Sequence, residues 1–307
     1  MNLNCILFTH NQQQYVLHNC LRFSLVRERY QAFSTLRIHM LADADVPIPC
    51  AVILELDQIR LMHGIVQNAV CIRQNNHRVL QITAVSYSAA LTKNQLEPGL
   101  YTRVTLRSLM QTYALPYISY DENVPEISYI FVKDNAAMWD SIIAYNYKLN
   151  HGFPYLRCTN LLCMLPQTGS EPIRLPADRF LHTASGGSCA DMVSRIDMAN
   201  MAGEYGSFTR TNPRAAERNI VRVRQILLDK QYLYDPDDAL KWRIALSNRK
   251  LFSKSVSYAG YCGEDLEDLV QAGDFVTARV SRIVMTGDER GIITTDTFYF
   301  DDFCNNT

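Results

Sequence analysis

Four acidic residues lie close together near the end of the sequence. Glu264, Asp265, Glu267 and Asp268 follow Gly263. Paired carboxylates act as general acid and base in glycoside hydrolysis, and carboxylate oxygens also bind calcium. The cluster lacks the regularly spaced oxygen ligands of a calcium loop. The pattern is therefore typical of a solvent-exposed turn, and hydrolysis of a glycan through Glu264 and Asp268 is the catalytic alternative.

Three arginines, Arg214, Arg218 and Arg222, repeat at four-residue spacing. Asn212-Pro213 is a strong helix start, because a capping residue precedes a proline at the first helical position. Apolar residues then share one helical face at Ala216, Ile220, Val223 and Leu227. We therefore predict one helix that carries the arginines in a single stripe. This stripe is either a solvated face or a candidate interface for an acidic partner, since it lacks the interleaved aromatic residues of a nucleic-acid groove.

The other residue types that carry chemistry are scattered. No histidine has the second histidine four positions away, with the intervening glutamate, that marks a zinc-binding helix. The segment Ser185-Gly186-Gly187-Ser188 has neither the ending of a phosphate-binding loop nor the pattern of a nucleophile elbow, and it predicts a flexible connection. We therefore expect no catalytic residue, no metal and no cofactor.

Composition narrows the class of protein. Of the 307 residues, 48% are hydrophobic and 20% are charged, which is typical of globular proteins. The formal net charge of −1 argues against nucleic acid as the main partner. No apolar run approaches the ~20 residues of a membrane span. Nine scattered cysteines, and an N-terminus without the features of a signal peptide, predict buried, reduced thiols in a cytoplasmic protein.

Short strands dominate the first ninety residues. Apolar and polar residues alternate there, which predicts half-buried strands, in segments 34–40, 52–56 and 77–85. Gly64 interrupts a further apolar run and predicts a bulge or a sharp bend. Several short strands at this spacing predict a small barrel or a curled sheet.

Helices are predicted in the middle of the chain. The spacing of apolar residues over 104–113 indicates a short amphipathic helix. Asp134 is the predicted cap of a second helix, and Gly152 is its predicted stop. Strands return after residue 276, with a hairpin turn at Gly287–Gly291.

These elements predict a β-rich α+β protein in three parts. Residues 1–97 form a first barrel-like β domain. Residues 98–165 form an α+β insertion domain. Residues 166–307 form a second barrel-like β domain, which begins with the candidate linker 167–177 and carries a helical insert at about 189–250.

Several segments, taken in order, resemble a known family. A strand with a glycine followed by aliphatic residues, 61–66, precedes a strand at 79–84 and the signature Ser86-Tyr87-Ser88 within 86–91. Further matches lie at 132–155, 212–250 and 274–291. This order is similar to that of the late-control D group of phage tail baseplate hub proteins, which includes the hub portion of the VgrG spikes of type VI secretion.

The resemblance implies a hub fold of two barrel-like domains joined by α+β and helical insertions. Three copies of such a protein form a ring of six barrels between a sixfold tail tube and a threefold spike. The expected partners are its own copies in a homotrimer, the tail tube protein, the spike protein and other baseplate proteins, with DNA only passing through the lumen. We expect a structural protein and not an enzyme, cytoplasmic during assembly and then part of a virion or an injection particle.

The resemblance leaves several possibilities open. No spike-forming β-helix follows Phe300, so the spike is expected to be a separate protein. A phage, a bacteriocin and an extracellular injection system all fit. Two other functions also stay open: a tail-tip hydrolase of peptidoglycan or glycan that uses Glu264 and Asp268, and a receptor-binding tail-tip protein.

Overall fold

Strands form 45% of the protein and helices 16% in the computed structural model, so the predicted β-rich α+β class is confirmed. The structure describes residues 2–42, 46–74, 77–166, 171–228 and 230–300. The helices are α1 (Ala90–Lys93), α2 (Leu106–Met110), α3 (Met138–Asn150), α4 (Pro213–Ala216) and α5 (Pro236–Asn248). The strands are β1 (Leu3–Phe8), β2 (Gln14–Leu17), β3 (Cys20–Glu28), β4 (Thr35–Ala42), β5 (Ala51–Leu56), β6 (Ile59–Gln74), β7 (His77–Ser86), β8 (Gly99–Val104), β9 (Ser119–Tyr120), β10 (Ile127–Val132), β11 (Tyr155–Leu156), β12 (Leu161–Cys163), β13 (Ile173–Arg174), β14 (Phe180–Gly186), β15 (Arg195–Met198), β16 (Phe208–Thr211), β17 (Val223–Ile226), β18 (Ser253–Ala259), β19 (Leu269–Ala272), β20 (Val276–Arg279), β21 (Arg282–Asp288) and β22 (Gly291–Tyr299).

One antiparallel sheet of eleven strands organises the molecule, in the order β14-β18-β22-β21-β3-β4-β7-β6-β5-β1-β2. The two ends of the sequence meet in its middle, where β3 pairs with β21 and Leu25 lies opposite Met285. Because β3 uses one edge for β4 and the other for β21, the N-terminal strands continue into the C-terminal strands and do not close on themselves. In the described residues this sheet is open at β14 and β2, so the two expected barrels are replaced by halves of one sheet.

The main hydrophobic core lies on one face of this sheet. Alternate residues of neighbouring strands, such as Leu25, Leu36 and Met285, point into it and are buried. Two small sheets contribute to the same core, one through Tyr155 of β11 and one through Val270 of β19. Each fully buried side chain of this size contributes about 1.5–3 kcal/mol to folding. The domain boundaries at 97/98 and 165/166 stay a prediction, and residues 167–170 of the candidate linker lie outside the described residues.

A second core forms where α3 packs against the antiparallel pair of β8 and β10, through Ile142 and Ile130. The helix begins after Ala137 and not at the predicted cap Asp134, because Asn135 has a left-handed backbone with φ 60°. Asp140 in its first turn accepts a hydrogen bond from the Ala137 N–H at 2.9 Å. The short helix predicted within 104–113 is present as α2, and the predicted hairpin turn joins β21 to β22.

The long helix predicted from Pro213 is wrong. Helix α4 ends at Ala216, and Asn219 adopts the left-handed conformation with φ 54°, which stops helical propagation. The following residues form β17, which pairs in parallel with β15. Val223 is a β-branched residue that suits a strand, and it is exposed instead of lying on a buried helical face. The spacing of the apolar residues here matches the period of a helix, although the residues after α4 do not form one.

Gly64 lies where two backbones approach each other closely. It pairs with Val52 on one side and with Ser86 on the other. A Cβ atom at Gly64 would lie 2.1 Å from the carbonyl oxygen of Val85. The predicted bulge is present three residues later, where the register shifts between Val66 and Asn68. The pairing of β6 with β7 also brings the rings of His63 and Tyr87 into edge contact, with 4.8 Å between their centroids. The segments that carry the family resemblance are therefore in contact.

Substitution Gly64→Ala is expected to destabilise the protein by about 1–3 kcal/mol, because the added methyl group forces the backbone of β7 away. Equilibrium urea denaturation measures this change. Gly186→Ala is the matched control, since a Cβ at this strand glycine meets no atom within 4 Å. Equal losses in the two variants would contradict the close approach at Gly64.

Candidate functional site

The acidic cluster is buried, so the predicted solvent-exposed turn is wrong. Asp265 accepts a hydrogen bond from Arg27 Nη1 at 2.6 Å through Oδ1, and its Oδ2 accepts from the Cys158 N–H at 2.8 Å. Asp268 accepts two bonds from Arg157, at 2.8 and 3.1 Å. Arg29 Nε lies 2.8 Å from Glu267 Oε1. The carboxylates therefore meet arginines of distant segments and not water.

Two carboxyl groups have no exposed surface: that of Glu264 in the acidic cluster and that of Asp296 in β22. Glu264 accepts a hydrogen bond of 2.5 Å from the Tyr258 hydroxyl. Asp296 faces the core from β22, and neither of its carboxyl oxygens has a hydrogen-bond partner among the described residues. Burial raises the pKa of both groups, and the charge of Glu264 raises that of Asp296 further. Because Glu264 is enclosed and Asp268 is clamped by Arg157, this conformation does not present the pair to a glycan chain.

The three predicted interface arginines do not share a helical stripe, because the helix ends before Arg218 and Arg222. Arg222 Nη1 donates to the carbonyl oxygens of Ala190 and Met192, at 2.5 and 2.8 Å. The Arg218 guanidinium lies over the Phe252 ring at 5.5 Å. Arg214 lies on α4 and is half-buried. The role of these residues as a partner interface stays a prediction.

The remaining chemical expectations concern metals, membranes and thiols. Within the described ranges, no three His, Cys, Asp or Glu side chains are grouped so that they could hold a metal ion. No helix in that part of the chain is long and apolar enough to cross a membrane. The eight cysteines described are all free thiols, and Cys50 and Cys71 are exposed, which corrects the expectation that the thiols are buried.

The large sheet has one open face, which lies opposite the main core. Residues that pair directly across antiparallel strands share a face, so the register defines this surface. One continuous row on it consists of Thr286, Ser24, Arg37, Thr83 and Asn68. These five residues are polar, but the register continues from Thr286 to Ile293 of β22, which is apolar and exposed. Sequence analysis did not single out this surface, because alternation reveals a two-faced strand but not which strands lie side by side.

Apolar side chains, hydroxyl groups and a few charges share the rest of this open face, where Val70 lies opposite Gln81 and is exposed. Ser257 Oγ lies 2.7 Å from Thr295 Oγ1 and 3.0 Å from His182 Nε2. Arg22 lies opposite Asp288 in the register. Arg22 Nε also donates to His39 Nδ1 at 3.3 Å, and burial together with the charge of Arg22 lowers the pKa of His39. Positive and negative charges are thus adjacent on this surface, with no block of one sign along this row.

Both edge strands of the large sheet are free of charged residues and of proline. Strand β14 carries the sequence Phe-Leu-His-Thr-Ala-Ser-Gly and is exposed from Leu181 onward, with one bulge near its start. Strand β2, at the other edge, carries Gln-Tyr-Val-Leu. Soluble proteins commonly protect sheet edges with lysine, proline or cover, because unpaired backbone groups pair with other chains. The predicted flexible connection at Ser185-Gly186 is in fact the end of edge strand β14.

Comparison with known proteins gives structural relatives only. No model of a protein family matches the sequence, and no curated protein matches it. The chain is similar to the 43 kDa tail protein of prophage MuSo2 from Shewanella oneidensis, with a TM-score of 0.68, 13% identity and 97% of each chain covered. A tail protein from Neisseria meningitidis MC58 gives a TM-score of 0.73 at 11% identity, over 99% of this chain and 98% of that chain.

A chain of the Francisella PdpA–VgrG complex is also similar, with a TM-score of 0.54 and 10% identity. That match covers 100% of this chain and 53% of the other. At such low identities the similarity concerns the fold. Over nearly its whole length, this chain therefore has the fold of phage tail proteins.

Substitution Asp265→Asn is expected to cost about 3–5 kcal/mol of folding free energy, since it leaves the buried Arg27 guanidinium without its counter-charge. Urea denaturation with linear extrapolation measures the loss. The matched control is Glu55→Gln, which breaks a more exposed pair with Arg60 at 3.8 Å and is expected to cost at most about 1 kcal/mol. If both variants lost the same free energy, Asp265 would not be a buried structural charge.

Substitution Asp296→Asn is expected to stabilise the protein at neutral pH. The folded-state pKa of Asp296 lies well above its unfolded value of about 4, so stability falls as the pH rises from about 4 through the folded pKa. Asparagine cannot ionise, so the stability of the variant should fall less steeply as the pH rises. The contribution of Glu264 to this pH dependence should remain.

Urea midpoints measured from pH 4 to pH 8 test this expectation for Asp296. The exposed substitution Asp288→Asn, in the hairpin turn, should keep the wild-type slope. A wild-type slope in Asp296→Asn as well would show that Asp296 ionises in the folded protein as it does in the unfolded chain.

Proposed function

We propose that this chain is a structural subunit of a phage tail or of a phage-derived injection particle, in which three copies form the hub ring between the tube and the spike. The observation that carries the proposal is the eleven-stranded sheet, with a row of polar residues on its open face and two edge strands free of charged residues. The fold shared with two tail proteins, over 97% or more of each chain, supports the same assignment.

The open face of the sheet suits the wall of a channel. Serine and threonine hydroxyls interact with passing polar material without holding it by charge. The exposed Arg22 lies opposite Asp288, so phosphate groups meet no uncompensated block of positive charge there. DNA would therefore pass along this face and not bind to it. In this role the surface needs no catalytic group.

The sheet edges suit the closure of a ring. If β14 of one copy pairs with β2 of the next, the contact joins two different surfaces, and such heterologous contacts close into rings. The ring then continues the sheet from copy to copy and leaves no unpaired edge. The tube protein, the spike protein and other baseplate proteins would bind the two rims, which places the chain in a virion or an injection particle.

The hydrolase alternative receives less support than the structural role. It requires Glu264 to reach a glycan, whereas this side chain is fully buried and bonded to Tyr258. A non-enzymatic function agrees with that burial. The proposed assembly therefore accounts for the open face and the edges, and the acidic cluster serves the interior.

Light scattering or native mass spectrometry over a range of protein concentrations tests the ring. We expect a species of about 105 kDa, three times the chain mass of 35.1 kDa. Thr183→Lys places a charge on edge strand β14 and is expected to abolish this species by blocking strand pairing.

Thr211→Lys is the matched control, because it makes the same change at an exposed residue of the small sheet in the insert. It should leave the trimer intact, and the far-ultraviolet circular dichroism of both variants should match that of the wild type. A stable dimer of the wild type would contradict the ring. A trimer that survives Thr183→Lys would place its interface away from β14.

A further inference from the structure

A cavity of about 310 Å³ lies in the insert, between the small sheet of β15 and β17 and the helix α5. Its wall contains three arginines from three separate places: Arg224 on β17, Arg243 on α5 and Arg249 just after α5. A single acidic residue, Asp191, lines the same cavity. These arginines are separated in the sequence and meet only in the folded insert. The four-residue spacing in the sequence therefore indicated other arginines of the same insert.

The charges of this cavity are only partly balanced by its own lining. Asp191 accepts a hydrogen bond from Arg249 Nη2 at 2.6 Å. The guanidinium of Arg243 lies over the Tyr232 ring at 5.0 Å, and Arg224 is exposed. The Nε atoms of Arg243 and Arg249 are buried and have no hydrogen-bond partner among the described residues. After the one ion pair, two guanidinium charges in the lining have no acidic counterpart there.

Apart from Ser247, the rest of the lining is apolar. Ile196, Ile226 and Leu246 supply hydrocarbon surface, and the indole of Trp242 lies beside them. Planar guanidinium groups bind carboxylates in a two-pronged geometry, and an apolar floor selects a ligand that also carries hydrocarbon. A nucleic acid would instead need an extended positive groove with stacking surfaces, whereas this positive site is single and small.

We propose that this cavity is a docking site for an acidic peptide segment of a partner protein, in which glutamate or aspartate side chains bind the arginines and neighbouring apolar side chains fill the floor. A volume of about 300 Å³ is at the lower end for ligand pockets and suits a few side chains. The site is separate from the large sheet, so it does not depend on the proposed ring.

Fluorescence anisotropy with a labelled peptide of alternating leucine and glutamate tests the site, and the peptide with glutamine in place of glutamate is the reference. We expect the glutamate peptide to bind at least about tenfold more tightly, since each charge-assisted contact is equivalent to roughly a factor of ten. Arg224→Gln with Arg243→Gln should weaken binding about a hundredfold.

Arg214→Gln with Arg218→Gln is the matched control, because it removes the same charge from the same insert outside the cavity lining. It should change the affinity less than about threefold. Equal losses in the two double variants would overturn the proposal, as would equal binding of the two peptides. Tighter binding of a single-stranded oligonucleotide of matched charge would also overturn it.

A second measurement locates the peptide and guards against misfolding of a variant. In a Trp139→Phe background, Trp242 is the remaining tryptophan, and peptide binding should shift its emission. Binding without such a shift would place the peptide elsewhere and contradict the proposal. The single variant Arg224→Gln changes an exposed residue, so its circular dichroism should match the wild type while its affinity falls about tenfold.

Discussion

The buried contact between Arg27 and Asp265 holds together the two ends of the sequence, which are 238 residues apart at this point. On β3 the residues that face inward are Phe23 and Leu25, followed by Arg27 at the end of the strand. Phe23 and Leu25 pack in the main core. Arg27 binds the acidic loop, which is the segment 264–268. A buried charge pair adds little net free energy compared with apolar packing, but it is intolerant of a wrong partner. A slip of β3 by one residue would send Arg27 to the open face and Val26 into the loop, so the pair fixes the register of the sheet at its centre.

The two faces of the sheet therefore differ in the contacts that their side chains make. The inner face makes apolar and ionic contacts that stabilise the chain, and arginines there contact the carboxylates of Asp265, Glu267 and Asp268. The outer face carries hydroxyls, charges and exposed apolar side chains such as Ile293, with few demands on packing. Packing of the core therefore places few constraints on the residues of the outer face, and these residues can suit a partner in an assembly. The insert is separate from both faces and has a small core of its own, in which Met198 packs with Leu240.

Local patterns were sufficient for part of the fold. Period-two alternation predicted strands at both ends of the chain, and the turn at Gly287–Gly291 was predicted from its glycines. Patterns failed where a single backbone conformation outweighed them, as at Asn219, whose left-handed conformation ends the helix that the spacing of apolar residues suggested. They failed again for the acidic loop, because its arginine partners come from β3 and from Arg157. No local spacing contains that information. The arginines that converge on the insert cavity were missed for the same reason.

The pairing of β3 with both β4 and β21 also governs the order of events during synthesis. The ribosome releases β3 and β4 long before β21, which lies far along the chain. Until then one edge of β3 has no partner, and Arg27 has no acidic loop to bind. Non-local pairing of this kind slows folding and leaves a strand edge open to other nascent chains. The sheet is thus joined at β3 only after β21 has been synthesised, and a translation product that ends before Asp265 would leave both this edge of β3 and the Arg27 guanidinium without their native partners.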